Sequence, residues 1–398
     1  MTIILKPVTI PDFGIPLERP AIPVATYESR CKIAFEKTGA DWLIVYADRE
    51  HCANISFLTG FEPRFEEALL LLGPYGRKIV ITGNENQGYT PISPLPDLET
   101  MLCQSLSLMG QDRTSKPNLV AVLNEAGLKA GGAIGLAGWK YLEASEWDGE
   151  EPSFFVPSYI VASITRVIGK DGTLSDATSI LMHPERGLRA IVDVDQIAEA
   201  EWAATRASAA VWRIVSGFTL GDSELSAAAR MGYAGEAMNC HPMLATNDRS
   251  APVIGLRSPT ARVPRRGDGA TTAISFWGGL TARAGLLTDH DEWMHSPIRP
   301  GSGERIASGM PFQVDIIPVP MPNGWALNCE DAVTFADATL RSDMAVQYPD
   351  ITARFDARRA YMKNSLGIEI GENMLPLSNI PLSLAPFWLS PTMLLARD

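Results

Sequence analysis

Early in the chain, short runs are apolar at nearly every position: DWLIVYA (41–47), EALLLL (67–72), KIVITG (78–83) and AIGLAG (133–138). Runs this short and this apolar read as strands, the first of them buried on both faces. The turn GPYG (73–76) separates the second from the third. Residues 27–38 read as a helix stopped by Gly39. ANISFLTG (53–60) reads as a further strand ending on glycine, and 98–109 and 118–128 read as helices. This alternation predicts a mixed α/β domain to about residue 170. Ahead of it, Pro7, Pro11, Pro16, Pro20 and Pro23 forbid regular helix and make residues 1–25 an arm.

HPERG (183–187) reads as a linker. Beyond it, Ile197, Ala200, Ala204, Ala207, Val211 and Ile214 recur at helical spacing, so a long helix is expected over about 195–216, ended by Gly217. Asp222 is placed to cap a second helix, with Glu224 in its first turn. Strands are expected at 270–277, 311–317 and 330–336, and a late helix at 351–366. That order describes an α+β domain. A chain of 398 residues is long for one core, and the expected division is 1–185 and 186–398. The stretch 372–391, rich in Pro and Ser, is expected to wrap over the second domain or a partner subunit.

The formal net charge is −12. It argues against nucleic acid, which needs clustered Lys and Arg, and against an anionic membrane surface. No run approaches the ~18 apolar residues of a membrane span. The five cysteines, Cys31, Cys52, Cys103, Cys240 and Cys329, form no CxxC pair and suggest reduced thiols in the cytoplasm. The opening residues are too interrupted by proline for a signal peptide. A small-molecule substrate is the partner this composition favours.

ANISFLTGFEPRFEEALLLL (53–72) followed by KIVITGNENQGY (78–89) resembles the N-terminal domain of the creatinase, aminopeptidase P and prolidase family. GMPFQVDIIP (309–318) and ALNCEDAVTFAD (326–337) resemble that family's last two glutamate-bearing strands. TDHDEWMHSPI (288–298) resembles its two-histidine stretch, and RRGDGATTAISFWGGLTAR (265–283) its aspartate-bearing stretch. The resemblance implies an N-terminal α/β domain, a C-terminal pita-bread domain and a homodimer. It places Asp315 and Glu330 on glutamate ligand positions, His290 on the ligand histidine and His295 on the substrate-facing one. Arg283 is the further substrate-facing candidate.

The departures are as informative. The family's metallopeptidases hold two divalent ions with two aspartates, one histidine and two glutamates. Counted from Gly267-Asp268, the first aspartate position falls on Ala273 and the second near Thr281–Ala282. The connection between 283 and 290 is shorter than the family's. A two-metal centre needs bridging carboxylates to offset about four positive charges, so a tightly held pair is not expected; a single Mn or Zn on His290, Asp315 and Glu330 is the remaining metal option.

The resulting expectation is a metal-independent, creatinase-like hydrolase of a C–N bond in a small amino, amidino or guanidino compound. His290 or His241 would move the proton with Glu330 as partner, while Asp315, His295 and Arg283 would hold substrate. The alternatives are an Xaa-Pro metallopeptidase and a non-catalytic small-molecule-binding relative. Plainer readings stand beside these: His241 before Pro242 caps a turn, His295 is a loop residue, and Asp315 is a salt-bridged strand residue. Glu330 and Asp331 point to opposite faces, so one of them can enter a site. Arg257, Arg262, Arg265 and Arg266 read as a solvated basic rim.

Overall fold

A computed structural model describes residues 2–248, 250, 253–278, 282–284, 301, 303, 305–316, 329–379 and 385–398, with backbone alone at 282–284, 315, 316 and 329. Its elements run β1 (Ile3–Pro7), α1 (Val24–Thr38), β2 (Trp42–Ala47), α2 (Ala53–Thr59), β3 (Ala68–Leu72), β4 (Lys78–Thr82), α3 (Asn84–Gln87), β5 (Leu98–Leu102), α4 (Leu119–Ala126), β6 (Ala133–Ala137), α5 (Ser158–Ile168), β7 (Thr173–Asp176) and α6 (Thr178–Met182). They continue with α7 (Val194–Gly217), α8 (Glu224–Ala229), β8 (Met243–Asn247), β9 (Gly269–Ile274), β10 (Ala282–Ala284), β11 (Pro311–Ile316), β12 (Cys329–Phe335), α9 (Ala338–Gln347), α10 (Pro349–Leu366), β13 (Met374–Pro376) and β14 (Met393–Arg397).

Two compact units result. Among the described residues, one contains Ile22–Ile191 with Gly301, Gly303 and Arg305; the other contains the arm through Ala21, the chain from Val192 to β10, and Ile306–Asp398. The arm, expected with the N-terminal domain, groups with the C-terminal unit because β1 pairs antiparallel with β14, Ile3 opposite Arg397.

In the N-terminal unit one sheet runs β5-β4-β3-β2-β6-β7. Every residue of β2, β3 and β4 is buried, in keeping with the unbroken apolar runs of β2 and β3 and the apolar centre of β4. Ile44, Leu69, Leu71, Ile79 and Ile81 join Leu123 of α4 and Ile164 of α5 in a shared core. Two expectations are corrected. Residues 53–59 form helix α2, not a strand: Ile55 and Leu58 share its buried face, and Gly60 at φ 70° returns its N–H to Ser56 O. Seven residues are too few to display a clear period, and here the glycine marks a helix end. Residues 98–102 form β5, not a helix, because they pair parallel with β4 at the sheet edge. HPERG is ordered rather than a loose linker, since His183 is buried and its Nδ1 accepts from Glu185 N.

In the C-terminal unit the sheet order is β11-β12-β10-β9-β8, with β13 added on β12. Helix α7 serves two cores. Trp202, Ala203, Val211 and Ile214 pack with Leu244, Ile274 and Phe276 of the sheet side. Ile197, Ala200 and Ala204 pack with Ala332, Phe355 and Leu375. Between these apolar stripes α7 carries Glu201, wholly buried. Its Oε1 accepts from Arg358 Nη2 (2.7 Å) and Arg354 Nε (2.8 Å), and Oε2 from Arg354 Nη2 (2.6 Å). Arg358, itself wholly buried, also donates to Pro376 O, Thr205 Oγ1 and Asn379 Oδ1. Burial would raise the Glu201 carboxyl, but the two guanidiniums outweigh it and hold it below the usual range.

The basic cluster is partly a structural knot rather than a rim. Glu224, buried at the start of α8, accepts from Arg257 Nη2 (2.7 Å), from Thr246 N and Oγ1, and from Thr260 N and Oγ1. Arg262 pairs with Asp268 at 2.5 Å. The cap of α8 is Ser223, whose Oγ accepts from Ser226 N, while Asp222 instead accepts from Thr219 N and pairs with Arg230.

Removing one member of the Glu201 cluster strands buried charge. Glu201→Ala is expected to cost about 3–5 kcal/mol, and Arg358→Ala a similar amount, read from urea midpoints. A second expectation concerns acid. Burial works to raise the Glu224 pKa, but Arg257 and the two threonines overcome it and hold it at about 2, against an ordinary value of 4.5. Its contribution is therefore complete above about pH 4.5 and is lost as the pH falls toward 2. Glu224→Gln should flatten the fall in stability over that window; an unchanged slope would show that Glu224 does not set it.

Candidate functional site

Strand register gathers the expected carboxylates before any side chain is considered. Met243 of β8 pairs with Ala273 of β9, and Ala273 with Arg283 of β10. Arg283 pairs with Glu330 of β12, and Glu330 with Asp315 of β11. Met243, Ala273, Arg283, Glu330 and Asp315 thus form one line straight across the sheet of the C-terminal unit. Residues far apart in sequence reach one row because antiparallel pairing sets opposite partners side by side.

Glu330 is 3% exposed. Its Oε2 accepts from Gln313 Nε2 at 2.7 Å, a diagonal contact from the neighbouring strand. Asp331 is buried as well, at 2%. It occupies the alternate position of the strand, its Oδ1 accepts from Ala332 N (2.8 Å), and its charge acts on Arg358. One carboxylate of the adjacent pair therefore serves the row and the other lies within the field of the buried arginine.

Of the remaining expected residues, His290 and His295 lie outside the described residues, as do Thr281 and the connection expected between 283 and 290. Arg283 and Asp315 are located by backbone register. His241 is exposed ahead of β8, with Nε2 3.4 Å from Leu256 O, and is not part of the row. Gln313 was not singled out by sequence reasoning. Its signal was the alternation within FQVD (312–315), which puts residues 313 and 315 on one face of β11.

The row can be tested against the two-metal set implied by the resemblance. At the first aspartate position Ala273 offers a methyl group and is fully enclosed, at 0% exposed. Ala282, within the second position, also lacks a donor atom. Glu330 spends one oxygen on an amide N–H. Among the described residues, no three His, Cys, Asp or Glu side chains are grouped as a metal site requires. If Ala273 and Ala282 stand at the aspartate positions, as the resemblance implies, neither supplies the carboxylate that a pair of bridged ions needs.

No family model matches the sequence, and no curated protein matches it either. Solved structures do. A prolidase from Thermococcus sibiricus has a TM-score of 0.56 and 14% identity, covering 80% of this chain and 95% of its own. The prolidase from Pyrococcus horikoshii has a TM-score of 0.53 and 12% identity, with 77% and 95% covered. An X-Pro aminopeptidase from Thermotoga maritima has a TM-score of 0.51 and 14% identity, with 76% and 95% covered. The chain has the pita-bread fold of prolidases and X-Pro aminopeptidases, as the resemblance of its motifs implied.

Enclosure of Ala273 gives a direct test. Ala273→Asp buries a carboxylate in a closed row and is expected to destabilise the chain by several kcal/mol. Ala273→Ser should cost much less. Thermal melts of both variants, with and without Mn²⁺, check this; full stability of Ala273→Asp without metal would show that the row has room for a carboxylate.

Proposed function

We propose that this chain is a hydrolase acting on a C–N bond, with short Xaa-Pro peptides as its first substrate class. The supporting observation is the pita-bread fold matched along nearly the whole length of prolidases and an X-Pro aminopeptidase. The row supplies chemistry suited to the task. Hydrolysis of an amide needs water directed at the carbonyl carbon and a proton delivered to the leaving nitrogen. In this reading Glu330, buried and hydrogen-bonded by Gln313, accepts a proton from that water. In the same reading His290 returns the proton to nitrogen, and Asp315 and Arg283 hold the substrate's charged ends. The active form is a cytoplasmic homodimer.

Ala273 favours a second reading. With no donor at that position, the row lacks half of a bridging aspartate pair, and the cleaved compound is a small amidino or guanidino molecule handled without metal. The two readings separate on one panel. Purified protein is incubated with Gly-Pro, Ala-Pro, creatine and simple amidines, with and without added Mn²⁺ or Zn²⁺. Release of free proline is the expected result. Cleavage of creatine or an amidine without proline release selects the second reading, and no product from any compound leaves a binding role.

Glu330→Gln keeps the shape of the side chain and removes the proton acceptor. It is expected to lower turnover at least about 100-fold with the thermal melt close to that of the parent. Parent-level turnover in Glu330→Gln would remove Glu330 from the chemistry.

A further inference from the structure

Along one face of α7, Arg206, Ala210 and Arg213 follow one another at helical spacing. With Ile15 of the arm, Glu236 and Phe276 they line a cavity of about 30 Å³. That is room for one or two particles the size of water, and too little for a phosphate or a carboxylic acid. Its charges are unequal. Glu236 is the carboxylate of the cavity, and both its oxygens are engaged: Oε1 accepts from Arg206 Nη2 and Oε2 from Ala234 N (2.8 Å). Arg206 also donates Nη1 to Pro16 O (3.1 Å) and rests over the ring of Trp202, 5.5 Å from its centroid. Its Nε is buried with no hydrogen-bond partner among the described residues. Arg213 donates Nη1 to Met231 O (2.8 Å) and pairs with no carboxylate among the described residues. Gly232 leaves that guanidinium clear: its φ is 71°, and a Cβ there would stand 3.1 Å from Arg213 Nη1. Two guanidiniums and one committed carboxylate leave the cavity with positive charge in excess.

A guanidinium donates hydrogen bonds and cannot accept them. Water placed between two of them satisfies donors but brings hydrogens of its own, and the oxygens beside it, of Glu236, Pro16 and Met231, already accept from protein donors. A halide ion accepts from several N–H groups at once, brings no hydrogen, and offsets the excess charge. We infer that this cavity is an anion site that takes a single halide ion such as chloride, held between Arg206 and Arg213. Ile15 is part of its wall and Pro16 is bonded to Arg206, so the bound ion fastens the arm against α7. The inference does not depend on which compound the row of Glu330 cleaves.

Bromide is the probe for position, since it substitutes for chloride and scatters X-rays anomalously. In crystals of the full chain soaked in sodium bromide, an anomalous peak within hydrogen-bonding reach of the Arg206 and Arg213 guanidiniums is expected, and bromide at other places alone overturns the inference. In solution, thermal melts are compared in sodium chloride, sodium bromide and sodium gluconate at equal ionic strength, gluconate being too large to enter. Chloride and bromide should each raise the parent's midpoint saturably by about 2–4 °C over gluconate. Arg213→Gln keeps a polar side chain on the helix and removes the charge, and it should melt at one temperature in all three salts. Equal midpoints for the parent in the three salts overturn the inference, as does an undiminished halide dependence in folded Arg213→Gln. Where Arg213→Gln does not fold, the chloride NMR line width of the parent decides. Exchange with the site broadens it, and added bromide should narrow it by displacing chloride; a line that bromide leaves unchanged overturns the inference equally.

Discussion

Glu201 is the point through which the C-terminal unit is assembled. It sits on α7 between two apolar stripes, where an unpaired carboxylate would be prohibitively costly. Arg354 and Arg358 of α10 neutralise it, and Arg358 then reaches Pro376 O and Asn379. One cluster therefore ties α7, α10 and the segment following β13, the strand added on β12. A buried ion pair of this kind adds little net stability compared with an apolar replacement. Its value is directional: two guanidiniums fit one carboxylate in few arrangements, so the helices are set in register. β12 carries Glu330, and its neighbouring strands inherit that placement.

Much of the fold was legible because burial leaves a direct mark on sequence. Strands covered on both faces read as unbroken apolar runs, and β2, β3 and β4 are of that kind. The length of α7 followed from six apolar residues at helical spacing. Errors fell where the local signal was weak. Seven residues of α2 carry too few turns to display a period, and β5 owes its conformation to pairing with β4. The Glu224 knot was also invisible: Arg257, Thr246 and Thr260 are brought to it by the fold, and a run of arginines in sequence resembles any exposed basic segment.

The candidate site was legible through motif likeness and not through periodicity. Glu330, Asp315 and Arg283 were named from short phrases, and register places them on one line with Ala273. Register also adds what phrases could not. Ala273, which the resemblance sets at an aspartate position, is fully buried. Gln313 escaped notice because a glutamine on a strand has no motif; its role depends on a diagonal contact across two strands.

The pairing of β1 with β14 has a consequence for how the molecule is made. Most of the N-terminal unit is one uninterrupted stretch, Ile22–Ile191, and that stretch has emerged once about half of these residues have been synthesised. The other unit closes only when β1 meets β14, with Ile3 opposite Arg397. During synthesis β1 must therefore wait with its backbone groups unpaired while an entire domain folds behind it. Contacts of such long sequence separation are slow to form, and the prolines that follow β1 keep the arm from being drawn into a helix meanwhile.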